Sequence, residues 1–336
     1  MAFECILGQE QPVQIIRKSL QNRSLSHAYL FYGPDSIGKK LAAIELAKAL
    51  NCDTRGPENS CDRCSSCRKI EERTHPDFFL LEPEKSSPSA REGWIKIDRV
   101  RDLQKKLMFL PYQGTTKVAV IDSCEQMNPQ AANTFLKTLE EPPGHTVLVL
   151  VSANPFQLLP TLVSRCQGIQ FHPLAPEVVT RILEKVGPDL PLEKRQFLAQ
   201  RCGGRIDRAL DESGAHSAEC RDELVDLLGT LSFDRMDAVF RWCRTWSRRP
   251  EELQNLLEEL LHLVRDLAVM KTGSSSPKVL HNRDLRERLT PLAARTSLPA
   301  LLHMFDAAYQ TKFALTGNAN AQLSLETMLI RCCEAA

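Results

Sequence analysis

One stretch limits the fold of this chain more than any other. Gly33-Pro34-Asp35-Ser36-Ile37-Gly38-Lys39-Lys40 follows the apolar run Ala28-Tyr29-Leu30-Phe31-Tyr32 and opens a segment, 38–50, with Leu41, Ile44, Leu46 and Ala47 at helical spacing. A buried strand, a glycine loop and a helix in that order are the context a phosphate-binding loop requires. Backbone N–H groups and the helix N-terminus would cradle phosphates, and Lys39 would reach the outer ones.

The rest of the first half continues the alternation. Residues 10–23 present Val13, Ile16 and Leu20 on one helical face. Phe78 to Leu81, Lys117 to Asp122, Thr146 to Val151 and Gly168 to Phe171 read as further strands. Ile97 to Leu110 and residues 129–141 read as helices, the second with Pro129 at its start and Pro142-Pro143 just past its end. Lys85 to Gly93 is polar and reads as an exposed loop. Strands alternating with helices predict a parallel sheet covered on both faces. From Pro173 the strand signal stops. Residues 175–211 hold short helical segments, and 217–335 are helical throughout apart from a loop at Gly273-Ser274-Ser275-Ser276-Pro277. The expected organisation is an α/β domain over 1–172, a small helical domain over 173–213 and an all-helical domain over 214–336.

Two chemical parts are missing around the loop. The position after Lys39 should be Ser or Thr, whose hydroxyl holds a magnesium ion; here it is Lys40. The acidic strand ends in Asp122, placed to organise magnesium, but the next residue is Ser123 where a hydrolase carries a glutamate to activate water. The expected site, Gly33, Gly38, Lys39, Lys40 and Asp122, has kept its shape without its chemistry, and ATP binding there is expected to be weak or absent.

Four of the 12 cysteines fall close together, as Cys52-x8-Cys61-x2-Cys64-x2-Cys67. Four thiolates at that spacing suit tetrahedral zinc in a closed, structural site. The gaps are polar, so metal binding would supply the folding energy that a core normally supplies, roughly 10–16 kcal/mol in zinc-finger peptides. Redox-active thiols and unliganded cysteines are the other readings of the cluster. The remaining eight read as buried thiols.

The net charge is +1 on 336 residues, which excludes a bulk basic field of the kind that coats nucleic acid. The start, Met1-Ala2-Phe3-Glu4, does not read as a signal peptide, and apolar runs such as Val147 to Val151 are far too short to span a bilayer. A cytoplasmic protein without a membrane partner is expected.

The motifs in order resemble bacterial clamp-loader subunits of DNA polymerase III, a branch of the AAA+ proteins. They are Ser26-His27-Ala28-Tyr29-Leu30-Phe31, the loop, the cysteine module, His75-Pro76-Asp77, Asn133 to Pro143, Ser164-Arg165-Cys166 and Asn318-Ala319-Asn320. The resemblance covers nearly the whole chain. Within the family, Lys40, Ser123 and the run Ile95 to Arg101 are similar to the stationary delta-prime type. The ATP-hydrolysing gamma or tau motor should keep the hydroxyl and the glutamate. The resemblance implies an AAA+ fold with a helical lid and a helical collar, and no independent ATPase. It implies membership of a nucleotidyl-transferring polymerase complex. Partners would be the delta and gamma/tau subunits of a hetero-pentamer and, indirectly, the sliding clamp and primer-template DNA. It also implies that Arg165 acts as an arginine finger on a neighbour's ATP. Asn154 and Arg208 match the two sensor positions, either as relics or with some nucleotide contact. The rival readings are an active AAA+ motor and a zinc-ribbon DNA binder, the latter disfavoured by the neutral charge and by a cysteine module without dense basic residues.

Overall fold

Strands that are apolar on both faces must be covered on both, and the first compact unit, Met1–Leu210, is built that way. The structure, a computed structural model, describes residues 3–54, 60–85, 93–188, 190–210, 214–272, 280, 282, 285–316 and 319–335. The polar loop read between Lys85 and Gly93, the loop at 273–277 and Asn318 lie outside them. The unit runs α1 (Glu10–Gln21), β1 (Ala28–Tyr32), α2 (Lys39–Asn51), α3 (Ser65–Glu71), β2 (Phe78–Leu81), β3 (Glu84–Lys85) and β4 (Gly93–Trp94). It continues with α4 (Ile97–Leu107), β5 (Lys117–Ile121), α5 (Pro129–Glu140), β6 (Thr146–Ser152), α6 (Pro160–Val163) and β7 (Gln167–Gln170), then α7 (Pro176–Val186), α8 (Leu192–Arg201) and α9 (Ile206–Leu210).

Five strands form one parallel sheet in the order β2-β5-β6-β1-β7. Alternate residues serve opposite faces. Tyr29, Phe31, Val118, Val120, Val147 and Val149 pack with Ala43, Leu46 and Leu50 of α2. Ala28, Leu30, Ala119, Ile121, Leu148 and Leu150 pack with Val100 and Leu103 of α4 and Phe135 and Leu139 of α5. Leu174, Val179, Leu183, Ala199 and Ala209, from the segment read as a separate helical domain, belong to the same apolar cluster as β1 and α2. The chain leaves β1 for the far edge at β2, returns through β5 and β6, then crosses to β7. The winding reverses between β1 and β6, and the crevice beyond the carboxyl ends of strands at such a point is where ligands sit.

The helix read over 97–110 stops at Leu107. Pro111 disfavours helical geometry at Leu110. Buried Lys117 takes the carbonyls of Leu107 and Phe109. The turn that follows hangs on buried Asp77, whose carboxylate accepts from the N–H groups of Tyr112 at 2.6 Å, Gln113 at 2.8 Å and Gly114 at 2.7 Å.

The second unit, Asp211–Ala336, is helical: α10 (Gly214–Thr230), α11 (Met236–Ser247), α12 (Pro250–Lys271), α13 (Arg286–Arg295), α14 (Leu298–Thr316) and α15 (Ala321–Ala335). Leu224, Leu257, Leu263, Leu289, Leu325 and Leu329 centre its core. Asp266, fully buried there, accepts from Asn282 N at 2.7 Å and pairs with Arg265 at 3.1 Å, which makes a buried charge tolerable. No helix among the described residues is long and apolar enough to cross a membrane.

Asp77 gives the first unit a measurable pH dependence. Burial alone would raise its carboxyl, but the N–H bonds from Gly114, Tyr112 and Gln113 outweigh burial and hold it below the usual carboxylate value. A depressed carboxyl stabilises the fold above its unfolded pKa of about 3.9. That stability is lost as pH falls through the lower folded value. Asp77→Asn is expected to cost about 1–3 kcal/mol in urea unfolding at neutral pH. It should also flatten the stability–pH curve below about pH 4. A variant as stable as wild type at neutral pH would show that the turn holds itself.

Candidate nucleotide cleft and metal centre

The loop after β1 can be built only with glycine at two points. Gly33 has φ +141° and donates to the Ser152 carbonyl at 3.3 Å; a Cβ there would fall 2.3 Å from the Phe171 carbonyl oxygen. Gly38, the residue before α2, has φ +100°. The loop closes one side of an open cleft of about 460 Å³, lined among others by Asp35, Gly38, Lys39, Lys40, Asp122, Ser123, Ala153, Arg205 and Asp207.

The cations of this cleft are engaged by the chain itself. Buried Lys39 turns its ammonium back on the loop, donating to Gly33 O at 2.6 Å and to Pro34 O, and burial lowers its pKa. Lys40 pairs with Asp122 at 3.0 Å and with Glu82. Glu82 and Asp122 follow the adjacent strands β2 and β5, held level by the Asp122 N–H on the Leu81 carbonyl at 2.9 Å. Arg205 forms a forked pair with Asp207 at 2.7 and 3.2 Å and reaches Asp35 at 3.8 Å. The Ile206 N–H donates to Ser36 O at 3.2 Å, so the start of α9 is tied directly to the loop. Magnesium nucleotide does not fit this set. The position that should offer a hydroxyl to the ion carries an ammonium, and Ser123 stands where the base would be.

At the other end of α2 lies the cysteine cluster. Cys52 is the C-cap of α2, and Cys64 caps α3, its sulfur accepting from Cys67 N. The sulfurs of Cys52, Cys61, Cys64 and Cys67 all lie within 4.8 Å of one another. Cys61 N points at the Cys52 sulfur at 3.4 Å and Cys64 N at the Cys61 sulfur at 3.2 Å, geometry that favours thiolates. Burial pushes the Cys64 and Cys67 thiols up, and a cation beside them would hold both as thiolates. This donor set fits a metal ion held entirely by protein ligands. The module is bound to α2 by Lys48, whose ammonium meets Glu45 at 2.6 Å, Asp62 at 2.9 Å and Glu71 at 2.9 Å.

Arg165 lies away from the chain's own cleft. It follows α6, with Nη2 2.6 Å from Glu140 Oε1 and Nη1 donating to Thr161 O at 2.9 Å, and its side chain is about one-third exposed.

Set beside known proteins, residues 8–175 match the family described as DNA polymerase III, delta subunit. Residues 218–336 match domain III of DNA polymerase III subunits gamma and tau. The chain belongs to the DNA polymerase III delta-subunit family. That family supplies clamp-loader subunits, and the relatives are of two kinds. DNA polymerase III subunit delta' of Bacillus subtilis is 28% identical over 96% of this chain and 95% of its own length. Subunit delta' of Pseudomonas aeruginosa is 39% identical over 60% of each chain. Subunit tau of Bacillus subtilis is 25% identical over 99% of this chain and 61% of its own length.

In this family member the expected cleft residues do not all meet. Gly38, Lys39, Lys40 and Asp122 line the cleft and Gly33 sets the loop. Asn154 and Arg208 are not among the lining residues. The Asn154 side chain caps a short turn by accepting from Phe156 N at 3.1 Å, and the Arg208 N–H rests on Asp207 Oδ1 at 3.0 Å. Arg205, Asp207 and Asp35 carry charge in the lining instead, and Glu82 is joined to it through Lys40. Arg205 directly follows Gly203-Gly204, a glycine pair that marks a turn into the cleft, whereas Glu82 is 42 residues from Lys40 and is brought to it by strand order alone.

Lys39 therefore has a structural duty. Lys39→Met is expected to lower the unfolding free energy of the chain by about 1–3 kcal/mol, because two loop carbonyls lose their donor. Denaturant curves without nucleotide would measure it. An unchanged midpoint would return Lys39 to a purely ligand-binding role.

Proposed function

We propose that this chain is a non-hydrolysing, delta-prime-type subunit of the DNA polymerase III clamp loader, helping to load the sliding clamp onto primed DNA in the cytoplasm. The observation that carries the reading is the Lys40 ammonium between Asp122 and Glu82, where a hydrolysing subunit needs a hydroxyl for magnesium. Ser123 in place of a catalytic glutamate supports it, as do the delta' relatives. A gamma/tau-type motor is the second reading, kept for the tau relative and the gamma and tau match of residues 218–336. The partners on the favoured reading are delta and gamma/tau subunits in a pentamer and, through them, the clamp and primer-template DNA. Residues 173–213 act as a lid tied to the sheet, and 214–336 form part of the collar. Exposed Leu302, Phe305 and Tyr309, three and four residues apart on α14, support a packing partner for that unit. Asn154 and Arg208 are relics of a nucleotide site.

Cys52, Cys61, Cys64 and Cys67 hold one structural zinc ion in this reading. Elemental analysis should find one zinc per chain. Cys64→Ser should lose it and lower the thermal midpoint. Protein with no zinc and no change in midpoint would remove the metal from the account.

Arg165 serves a neighbouring subunit's ATP. Its pair with Glu140 is partly exposed and contributes no more than about 1 kcal/mol, so it can be exchanged for a phosphate. A forked, permanently charged group suits the charge that develops in phosphoryl transfer. Arg165→Ala should leave folding intact and lower DNA- and clamp-stimulated ATP hydrolysis by the reconstituted complex severalfold. The loss should fall short of the about 10³–10⁵ of a single-site finger, because other motor sites keep theirs. Arg165→Lys should also be impaired. Wild-type turnover and clamp loading by the Arg165→Ala complex would make Arg165 a structural arginine.

A further inference from the structure

In phosphate-loop enzymes the residue after the loop lysine and the acid at the end of the neighbouring strand hold a magnesium ion between them. Position 40 and Asp122 are those residues here. The replacement at position 40 does more than delete a ligand. Its ammonium lies 3.0 Å from Asp122 Oδ2 and bonds Glu82 Oε1, joining two carboxylates that the parallel strands set level with each other. Glu82 also meets Arg73 at 2.9 Å. Without a cation there, Glu82 and Asp122 would face each other as like charges. A magnesium ion takes one or two carboxylates and keeps several waters, which is the donor set these two acids offer. We infer that Lys40 is a tethered substitute for the divalent ion, masking a latent magnesium-type site formed by Glu82 and Asp122.

The substitution accounts for how a cleft without a magnesium ligand at position 40 keeps its form. Burial alone would lower the Lys40 amine, but Glu82 and Asp122 outweigh it and keep it charged. The ammonium bridges both acids, Arg73 supplies the second positive charge at Glu82, and together they repel any further cation. The forked Arg205–Asp207 pair and the Ile206–Ser36 hydrogen bond close the opposite side. Loop, acidic strand and helical segment are thus joined by the chain's own groups. This inference rests on the reading of the cleft as silent, and the two can fail separately.

The test uses the full chain and manganese as the probe, read by electron paramagnetic resonance of free Mn²⁺. Wild type should bind Mn²⁺ weakly, with no change on Asp122→Asn. Lys40→Thr should bind at least about tenfold more tightly, the lower end of what one adjacent charge does to an ionic equilibrium. Adding Asp122→Asn to Lys40→Thr should abolish the gain. No gain in a folded Lys40→Thr or Lys40→Gln protein overturns the inference, as does Asp122-dependent binding by wild type. Should neither variant fold, reductive methylation of wild type decides. Lys40 should label much more slowly than exposed Lys105, and equal rates overturn the inference. ATP turnover by wild type alone would instead sink the reading of a silent cleft.

Discussion

The level carboxyl ends of β2, β5, β6 and β1 are the constraint on which the rest of the molecule hangs. Parallel pairing sets Leu81 beside Ile121, Ile121 beside Leu150 and Tyr32 beside Ser152, so the residues that follow each strand emerge side by side. Both sheet faces are sealed by helices, which leaves the strand ends as the place where polar side chains can gather. The loop, Glu82, Asp122 and Ala153 all emerge there. Their proximity follows from register, and the apolar alternation that buries both faces is what fixes the register.

Helix α2 links that edge to the cysteine cluster. Its first residue, Lys39, is folded into the phosphate loop, and the residue capping its other end, Cys52, is the first cysteine of the cluster. Between them Lys48 binds the module through Asp62 and Glu71. Buried Asn51 accepts from Thr115 N at 3.1 Å and Thr116 N at 3.2 Å and donates to Thr116 O at 2.9 Å. Those threonines lead directly into β5, and so to Asp122. A metal at the four sulfurs would therefore steady one end of α2 and the entry to the acidic strand together, although none of these four cysteines lines the cleft. Such an arrangement gives a structural metal an effect on a distant site through packed helix and strand alone.

Most of this architecture was legible because it rests on local patterns. Four of the five sheet strands are short apolar runs bounded by turns, and α5 is announced by Pro129, with Asn128 accepting from Ala131 N at 2.7 Å. The elements that escaped are those made by distant partners. The β3–β4 pair has two residues on each side, too few for any periodicity. Helix α3 has seven residues and a cysteine sulfur as its cap, so its polar, cysteine-rich sequence reads as turns. Helix α4 ends early because Lys117, ten residues beyond Leu107, takes its terminal carbonyl. The four cysteines, and in the cleft Lys39, Lys40 and Asp122, could be nominated by spacing. Glu82 could not, being 42 residues from Lys40 and brought to it only by strand order.

The charges of the cleft also separate losing a function from replacing it. A site that merely lost its hydroxyl and its base would keep a lysine aimed at phosphates and two acids facing each other, an arrangement that favours either ligand or collapse. Here Lys39 is turned onto loop carbonyls, Lys40 is shared by two acids and Arg205 is forked onto Asp207. Each pair satisfies groups that nucleotide and metal would otherwise satisfy, so the fold no longer depends on a ligand for its electrostatic balance. Arg165 is the contrast. It is not among the residues lining the cleft, and its pair is partly exposed and worth little, so it is readily given up to something beyond the chain. A subunit built this way would balance the charges of its own cleft through internal pairs while keeping one weakly held guanidinium for a neighbour. On the proposed reading, that combination would account for a phosphate-loop fold that persists without the chemistry for which such loops are built.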